Sequence, residues 1–210
     1  MLAIVSITLG PVQTNTFLVA DTVSGEAVVI DPAGAGRQIA VEAQSRNWHI
    51  SAVWITHAHF DHIGGTASLL REVKPLPDVA LHPSDLFLWQ MQGGAPLLGF
   101  QIEPGSDPSL KLHDRQELRL GEMVFQVRHT PGHTPGHVVY YCASAEVVFC
   151  GDVIFAGSIG RTDLPGGDFN TLINSIRQEI LTLPDETRLY CGHGPQTTVG
   201  VERQYNPYLA

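Results

Sequence analysis

The stretch VWITHAHFDHIGGT, Val53 to Thr66, constrains this chain more than any other. His57, His59, Asp61 and His62 follow directly on an apolar run that reads as a buried strand. Imidazole nitrogens and carboxylate oxygens are donors to borderline and hard divalent metals, and catalytic sites leave a position for water. On an extended backbone His57, His59 and Asp61 point one way and His62 another unless the chain turns, and a turn here could feed two neighbouring metals. The IGG that follows lets the backbone leave the site and start a helix. Four donors cannot fill two sites. The fold must therefore bring other strand ends to this edge.

Three residues fit that requirement: His133 in HTPGHTPGH, Asp152 in VVFCGDVIF and His193 in RLYCGHGP, each after a run of strand-forming residues. A carboxylate has two oxygens and can bridge two ions, whereas a neutral imidazole binds one, so Asp152 is the natural bridge and Asp61 belongs to one metal. Two carboxylates offset half the charge of two divalent ions. The residual positive charge favours polarising a carbonyl and holding hydroxide at neutral pH, since a bound metal can lower the pKa of water to about 7. The chemistry implied is metal-assisted hydrolysis, with Asp61, Asp152 and a metal-bound hydroxide at its centre. Taken singly, His133, His193 and Asp152 have simpler readings as caps or turn residues. Asp31 in VVIDPAG ends a strand and has two readings, orienting a metal histidine or closing an Asx turn. His49, His82, His113, His129 and His137 are assigned to structure, with His129 and His137 close enough in sequence to hydrogen-bond around His133. Trp48, Trp54, Phe87 and Trp89 read as packing.

Strand-like runs at Ala3 to Leu9, Thr16 to Ala20 and Ala27 to Ile30 make the N-terminal part largely sheet. Helical spacing appears over Gly36 to Trp48, Gly64 to Lys74 and Asp168 to Thr182, the last with Asp168 as N-cap. Short strands are expected at Glu117 to Leu120, Met123 to Arg128, Val138 to Tyr141 and Val147 to Cys150, with TRLYCG as a final strand. Gly93 to Pro108 is Gly- and Pro-rich and reads as a surface loop whose length hints at binding. The pattern predicts an α/β architecture, two packed sheets with helices outside, as one domain over 1–210. Lys and Arg number 12 against 21 Asp and Glu, a formal charge of -9, and no basic cluster offers a nucleic acid a face. No apolar run is long enough to span a bilayer and no signal peptide is recognisable, so neither a membrane nor a nucleic acid is an expected partner. Three separated cysteines without a C-x-x-C pair fit a reducing compartment, and the cytoplasm is the expected location. Oligomeric state is not readable.

THAHFDHIGG, HTPGHT, GDVIF and CGHGP, in this order, resemble the metallo-β-lactamase superfamily across nearly the whole chain. GDVIFAGSIGRTDLPGGD and the tail VGVERQYNPYLA resemble its short, single-domain glyoxalase II group of hydroxyacylglutathione hydrolases. That resemblance implies a four-layer αββα sandwich with two metals at the open edge between the sheets. One metal would take His57, His59 and His133 and the other Asp61, His62 and His193, with Asp152 bridging. The ions implied are divalent, zinc first, with iron or manganese also accepted by such donors. The longer glyoxalase II enzymes carry a C-terminal helical glutathione-binding domain, whereas only Gly194 to Ala210 follow the last histidine here. Where those enzymes have a Lys and two Tyr, this chain has Arg161, Asp163 and Pro195. Arg161 is the candidate substrate-binding residue, able to pair with a glutathione carboxylate, or else to form a salt bridge with Asp163.

The resemblance implies hydrolysis of S-lactoylglutathione or a similar 2-hydroxyacylglutathione to a 2-hydroxy acid and glutathione. The alternative is an iron-dependent glutathione persulfide dioxygenase, a related group that shares the His/His/His/Asp half of the site and the Gly160 to Asp163 GRTD loop. A β-lactamase would require amide chemistry with a poorer leaving group and usually export. A non-catalytic metal-binding module would not need a bridging carboxylate.

Overall fold

The computed structural model describes residues 1–209. Its first sheet is ordered β1-β2-β3-β4-β5-β6 and is built from β1 (Leu2–Leu9), β2 (Thr14–Asp21), β3 (Glu26–Ile30), β4 (His49–Trp54), β5 (Asp78–Leu81) and β6 (Leu110–Lys111). Helices α1 (Gly36–Ser45), α2 (Phe60–Ile63), α3 (Thr66–Glu72) and α4 (Leu86–Gln90) fall between its later strands. β1, β2 and β3 are antiparallel, while β3 through β6 are parallel and joined by crossovers. The second sheet contains β7 (Glu117–Leu120), β8 (Met123–His129), β9 (Val138–Cys142), β10 (Val147–Gly151), β13 (Arg188–Cys191) and β14 (Thr197–Thr198), in the order β14-β13-β10-β9-β8-β7. A small hairpin, β11 (Ile154–Phe155) and β12 (Ser158–Ile159), and helices α5 (Phe169–Ser175) and α6 (Val199–Tyr205) complete the chain.

Period-two alternation divides the apolar residues among three cores. Phe17 and Val19 of β2 and Val28 and Ile30 of β3 meet Phe125, Tyr140 and Phe149 between the sheets. The alternate residues, Leu18, Ala20, Ala27 and Val29, pack outward with Ile39 of α1 and Leu69 of α3. On the other side Val148 and Cys150 of β10 pack with Leu172 and Ile176. Helix, sheet, sheet and helix layers follow, the αββα order that the resemblance implies.

The elements differ from the expectations in ways that matter near their ends. α2 was not foreseen as a helix; it is a single turn carrying Asp61 and His62. The helix expected over Asp168 to Thr182 has Asp168 as its N-cap, its carboxylate accepting from Thr171 N at 2.7 Å, but widens into a π-helical turn at Ile176–Ile180. TRLYCG is not the last element, since β14 and α6 follow. Within the expected surface loop, Gln92–Leu98 winds into 3-10 turns, with Gly93 and Gly94 at positive φ. No helix of the described residues is long and apolar enough to cross a membrane. Cys142, Cys150 and Cys191 are free and buried, and burial pushes the Cys150 thiol up, so it stays protonated as core.

Candidate metal centre

The strand ends of both sheets converge on one edge. β4 leads through Ile55 and Thr56 to His57, the segment after β8 supplies His133, β10 ends immediately before Asp152, and Gly192 alone separates β13 from His193. The structure thus brings together all seven residues singled out from the sequence, in two sets. Donor atoms of His57, His59 and His133 lie within 4.8 Å of one another, and so do those of Asp61, His62 and His193. Asp152 stands between them, with Oδ1 3.3 Å from His62 Nε2 and Oδ2 3.6 Å from His133 Nε2 and 3.5 Å from His193 Nε2. Oδ2 thus lies between the two sets, and Oδ1 faces the second.

Buried polar atoms almost always have hydrogen-bond partners. Here His57 Nε2, His62 Nε2 and Asp152 Oδ1 are buried with none, the last two 3.3 Å apart. Their ring partners fix which nitrogen is free. Thr56 Oγ1 donates to Asp31 Oδ2 at 2.6 Å, so it accepts from His57 Nδ1 at 3.0 Å and leaves Nε2 as a lone pair. His133 Nδ1 donates to the Arg161 carbonyl at 2.7 Å, which directs its Nε2 inward, 2.8 Å from His59 Nδ1. Burial drives the His57, His59 and His133 pKa values down, His59 to about 3, so these rings are neutral donors.

The second set is electronegative. Burial works against charge on His62, yet Asp152, Asp61 and Asp31 together raise its pKa well above the usual histidine range. Burial likewise opposes charge on His193, but hydrogen bonds to Asp152 and Asp61 bring it to about 9. Burial pushes Asp61 up, but His62, His193 and the Thr14 hydroxyl outweigh it and hold the carboxyl at about 2. Where protons are held this firmly beside carboxylates, a divalent cation can replace them. The cluster is compatible with a dinuclear divalent metal site.

Supporting residues come from distant parts of the chain. Asp31, at φ 50°, accepts from Thr56 N at 2.7 Å and from His62 Nδ1 at 2.9 Å, so of its two readings it orients a histidine. Asp31, His57 and His62 also lie close enough to form a third set, but the Asp31 oxygens are already engaged by Thr56 and His62. His137 Nε2 accepts from Asp152 N at 3.1 Å, and Thr14 Oγ1 donates to Asp61 Oδ2 at 2.8 Å. Asp85 accepts from Ala58 N, Thr134 Oγ1 and Gly136 N at 3.0, 2.8 and 2.6 Å, tying the His57 to His62 turn to the loop carrying His133. Burial pushes the Asp85 carboxyl up while these donors pull it back. Thr14 and Asp85 were not foreseen; nothing in their neighbouring residues signals the site.

The cluster floors a cavity of about 580 Å³, walled by residues that include Phe60, Phe87, Leu97 and Leu164. Phe87 is therefore not core packing; it is exposed at the mouth, whereas Trp54 and Trp89 are buried as expected. Arg161 also lines the cavity, but its guanidinium forms a two-pronged ion pair with Asp163 at 2.8 and 2.7 Å.

A sequence model described as "Metallo-beta-lactamase superfamily" matches residues 9–193. The probable metallo-hydrolase YqgX of Bacillus subtilis is 38% identical over 205 residues, spanning 96% of this chain and 94% of the relative. The hydroxyacylglutathione hydrolase GloC of Haemophilus influenzae is 35% identical over 199 residues, spanning 94% and 93%. Among solved structures, BLEG-1 B3 metallo-beta-lactamase superposes with a TM-score of 0.91 at 38% identity, covering 100% of this chain and 99% of the other. TTHA1623 in a di-iron-bound form superposes with a TM-score of 0.88 at 40% identity, covering 98% and 100%.

Proposed function

The chain belongs to the metallo-beta-lactamase superfamily, and from that premise we propose that it is a two-metal thioester hydrolase of glyoxalase II type, cleaving 2-hydroxyacylglutathiones such as S-lactoylglutathione. The observation that carries the proposal is the position of Asp152 between the two sets of donors, its Oδ2 within 3.6 Å of His133 and 3.5 Å of His193 and its Oδ1 3.3 Å from His62, on the floor of an open cavity. His57, His59 and His133 would hold one ion and Asp61, His62 and His193 the other, with Asp152 shared. Two divalent cations, when bound, lower the pKa of water to about 7 and polarise a carbonyl oxygen. Zinc suits these nitrogen and oxygen donors, and iron is the ion in the TTHA1623 structure.

The chain's own residues supply position and charge. Asp31 and Thr56 fix the His62 and His57 rings, and Thr14 fixes Asp61, so the donors are held before any ion arrives. Asp61 and Asp152 stay ionised at neutral pH, and two carboxylates would offset only half the charge of a bound pair of divalent ions. In the reaction a water that has given up a proton to solvent bonds through its oxygen to the acyl carbon. The carbon–sulfur bond breaks with its electron pair going to sulfur, and the thiolate departs while the acid product loses its remaining proton to solvent. A thiol of pKa about 8.5 leaves as its anion without a general acid. This suits a cavity whose titratable lining among the described residues consists of the cluster and Arg161.

Similarity to GloC supports the glutathione thioester. The His/His/His/Asp half shared with persulfide dioxygenases is present, but the Asp61, His62 and His193 set is equally assembled, which favours hydrolysis. Thiol release from S-D-lactoylglutathione by protein loaded with zinc or iron tests the proposal. Absence of release from any acylglutathione would overturn it, and oxygen uptake with glutathione persulfide would put the dioxygenase in its place.

A further inference from the structure

The walls of the cavity differ in chemistry from its floor. Val12, Phe87, Met91, Leu97, Leu98 and Phe100 all line it and all stand exposed, Phe87 at 72% and Leu97 at 76%. Water-facing apolar side chains gathered around one concavity mark a surface that something covers. Arg161 is the one Lys or Arg among the described residues lining the cavity, and Asp163 engages its Nε and Nη2 edge. One cation thus stands among an otherwise apolar wall.

The wall is anchored at its base and free at its tip. Gly93 has φ +62°, and a side chain there would place Cβ 2.2 Å from Phe60 N, so the loop backbone lies directly on the turn that carries Asp61. The Phe60 and Phe100 rings stack with centroids 5.4 Å apart, and Trp89 is buried beneath. Leu97 and Leu98 extend beyond this anchor into solvent. Because the same cavity holds His59, Asp61, His133, Asp152 and His193, an occupant of the wall lies beside the reacting bond.

We infer that this cavity selects substrates by an apolar group: the thioesters turned over best carry an alkyl or aryl group of several carbons next to the carbonyl or the sulfur. The inference rests on the thioester-hydrolase reading and refines its substrate class. Two series test it, straight-chain acylglutathiones from acetyl to octanoyl, with D-lactoyl for comparison, and acetyl thioesters of thiols from ethanethiol to hexanethiol. In at least one, kcat/KM is expected to rise about two- to four-fold per methylene, four-fold corresponding to full burial at about 0.8 kcal/mol. Whichever series rises identifies the side of the bond that carries the group. Phe87→Ser and Leu97→Ser are expected to flatten whichever series rises. Calorimetry with S-hexyl- and S-methylglutathione reads the preference without turnover, and at least ten-fold tighter binding of the hexyl thioether is expected, with a negative heat-capacity change.

Flat or falling series, with acylglutathiones still cleaved, would overturn the inference and leave the hydrolase reading standing. Flat series together with a concentration-dependent dimer that Leu97→Asp dissolves would give the patch to a second copy of this chain and overturn the inference equally. Release of no thiol from any thioester would remove the hydrolase reading, and the inference with it.

Discussion

Nδ1 of His62 lies 2.9 Å from Oδ2 of Asp31, and the same oxygen accepts the Thr56 hydroxyl at 2.6 Å. One carboxylate thus orients a histidine of each set, His62 directly and His57 through Thr56. Partners of this kind fix ring orientation and typically contribute 10- to 100-fold in metal affinity or activity. Asp31→Ala is expected to weaken metal binding by about that factor, read by competition with a chromogenic chelator. Unchanged affinity in a folded variant would show the contact to be incidental.

Gly192 stands where no side chain fits: a Cβ would come 2.2 Å from Asp152 Oδ1 and 2.8 Å from His62 Cε1. Gly192→Ala is therefore expected to displace the shared carboxylate. Metal content below that of the parent protein, with hydrolysis reduced by about two orders of magnitude, is the expected result, since misplacement of about 1 Å can cost 10²-fold. Elemental analysis and thiol-release rates check it.

Asp85 satisfies three buried donors from two segments. Each donor left unpaired costs about 1–3 kcal/mol, so Asp85→Ala is expected to destabilise the protein by about 3 kcal/mol or more. The loss should appear as a lower urea midpoint at constant m-value. Asp85→Asn keeps an acceptor for some of the donors and is expected to fall between the two.

Ions that bind only the folded chain stabilise it. One ion at a hundred times its dissociation constant adds about 2.7 kcal/mol, which in a chain of this length raises Tm by about 5–10 °C. Chelation should lower Tm by at least that amount, and by less in Asp152→Asn, where the shared charge is gone. Differential scanning calorimetry measures both.

The seven clustered residues were legible because each sits at or just beyond a strand-like run, where backbone pattern and donor chemistry coincide in the sequence. The layers were legible in part: strands with interspersed helices in two halves predict two packed sheets with helices outside. The αββα order came from the family resemblance, because FLVA and VVFC are continuous apolar runs whose residues sort between inner and outer cores only when the sheets pack. Thr14 and Asp85 were not legible. Their partners are 47 residues away for Thr14 and 27 to 51 for Asp85, and only the packing of sheets and crossovers brings them together. Phe87 misled because an aromatic residue beside Leu86 and Leu88 reads as core, whereas the short α4 leaves it facing outward. The π-helical turn at Ile176–Ile180 was hidden because its apolar spacing differs little from that of an α-helix over so few residues.

Anomalous-diffraction data from crystals of the zinc-loaded protein, collected on both sides of the metal edge, test the central claim most directly. Two peaks about 3.5–4 Å apart are expected, one among His57, His59 and His133, the other among Asp61, His62 and His193, with an oxygen of Asp152 on each. A single peak, or peaks held by other residues, would contradict the account.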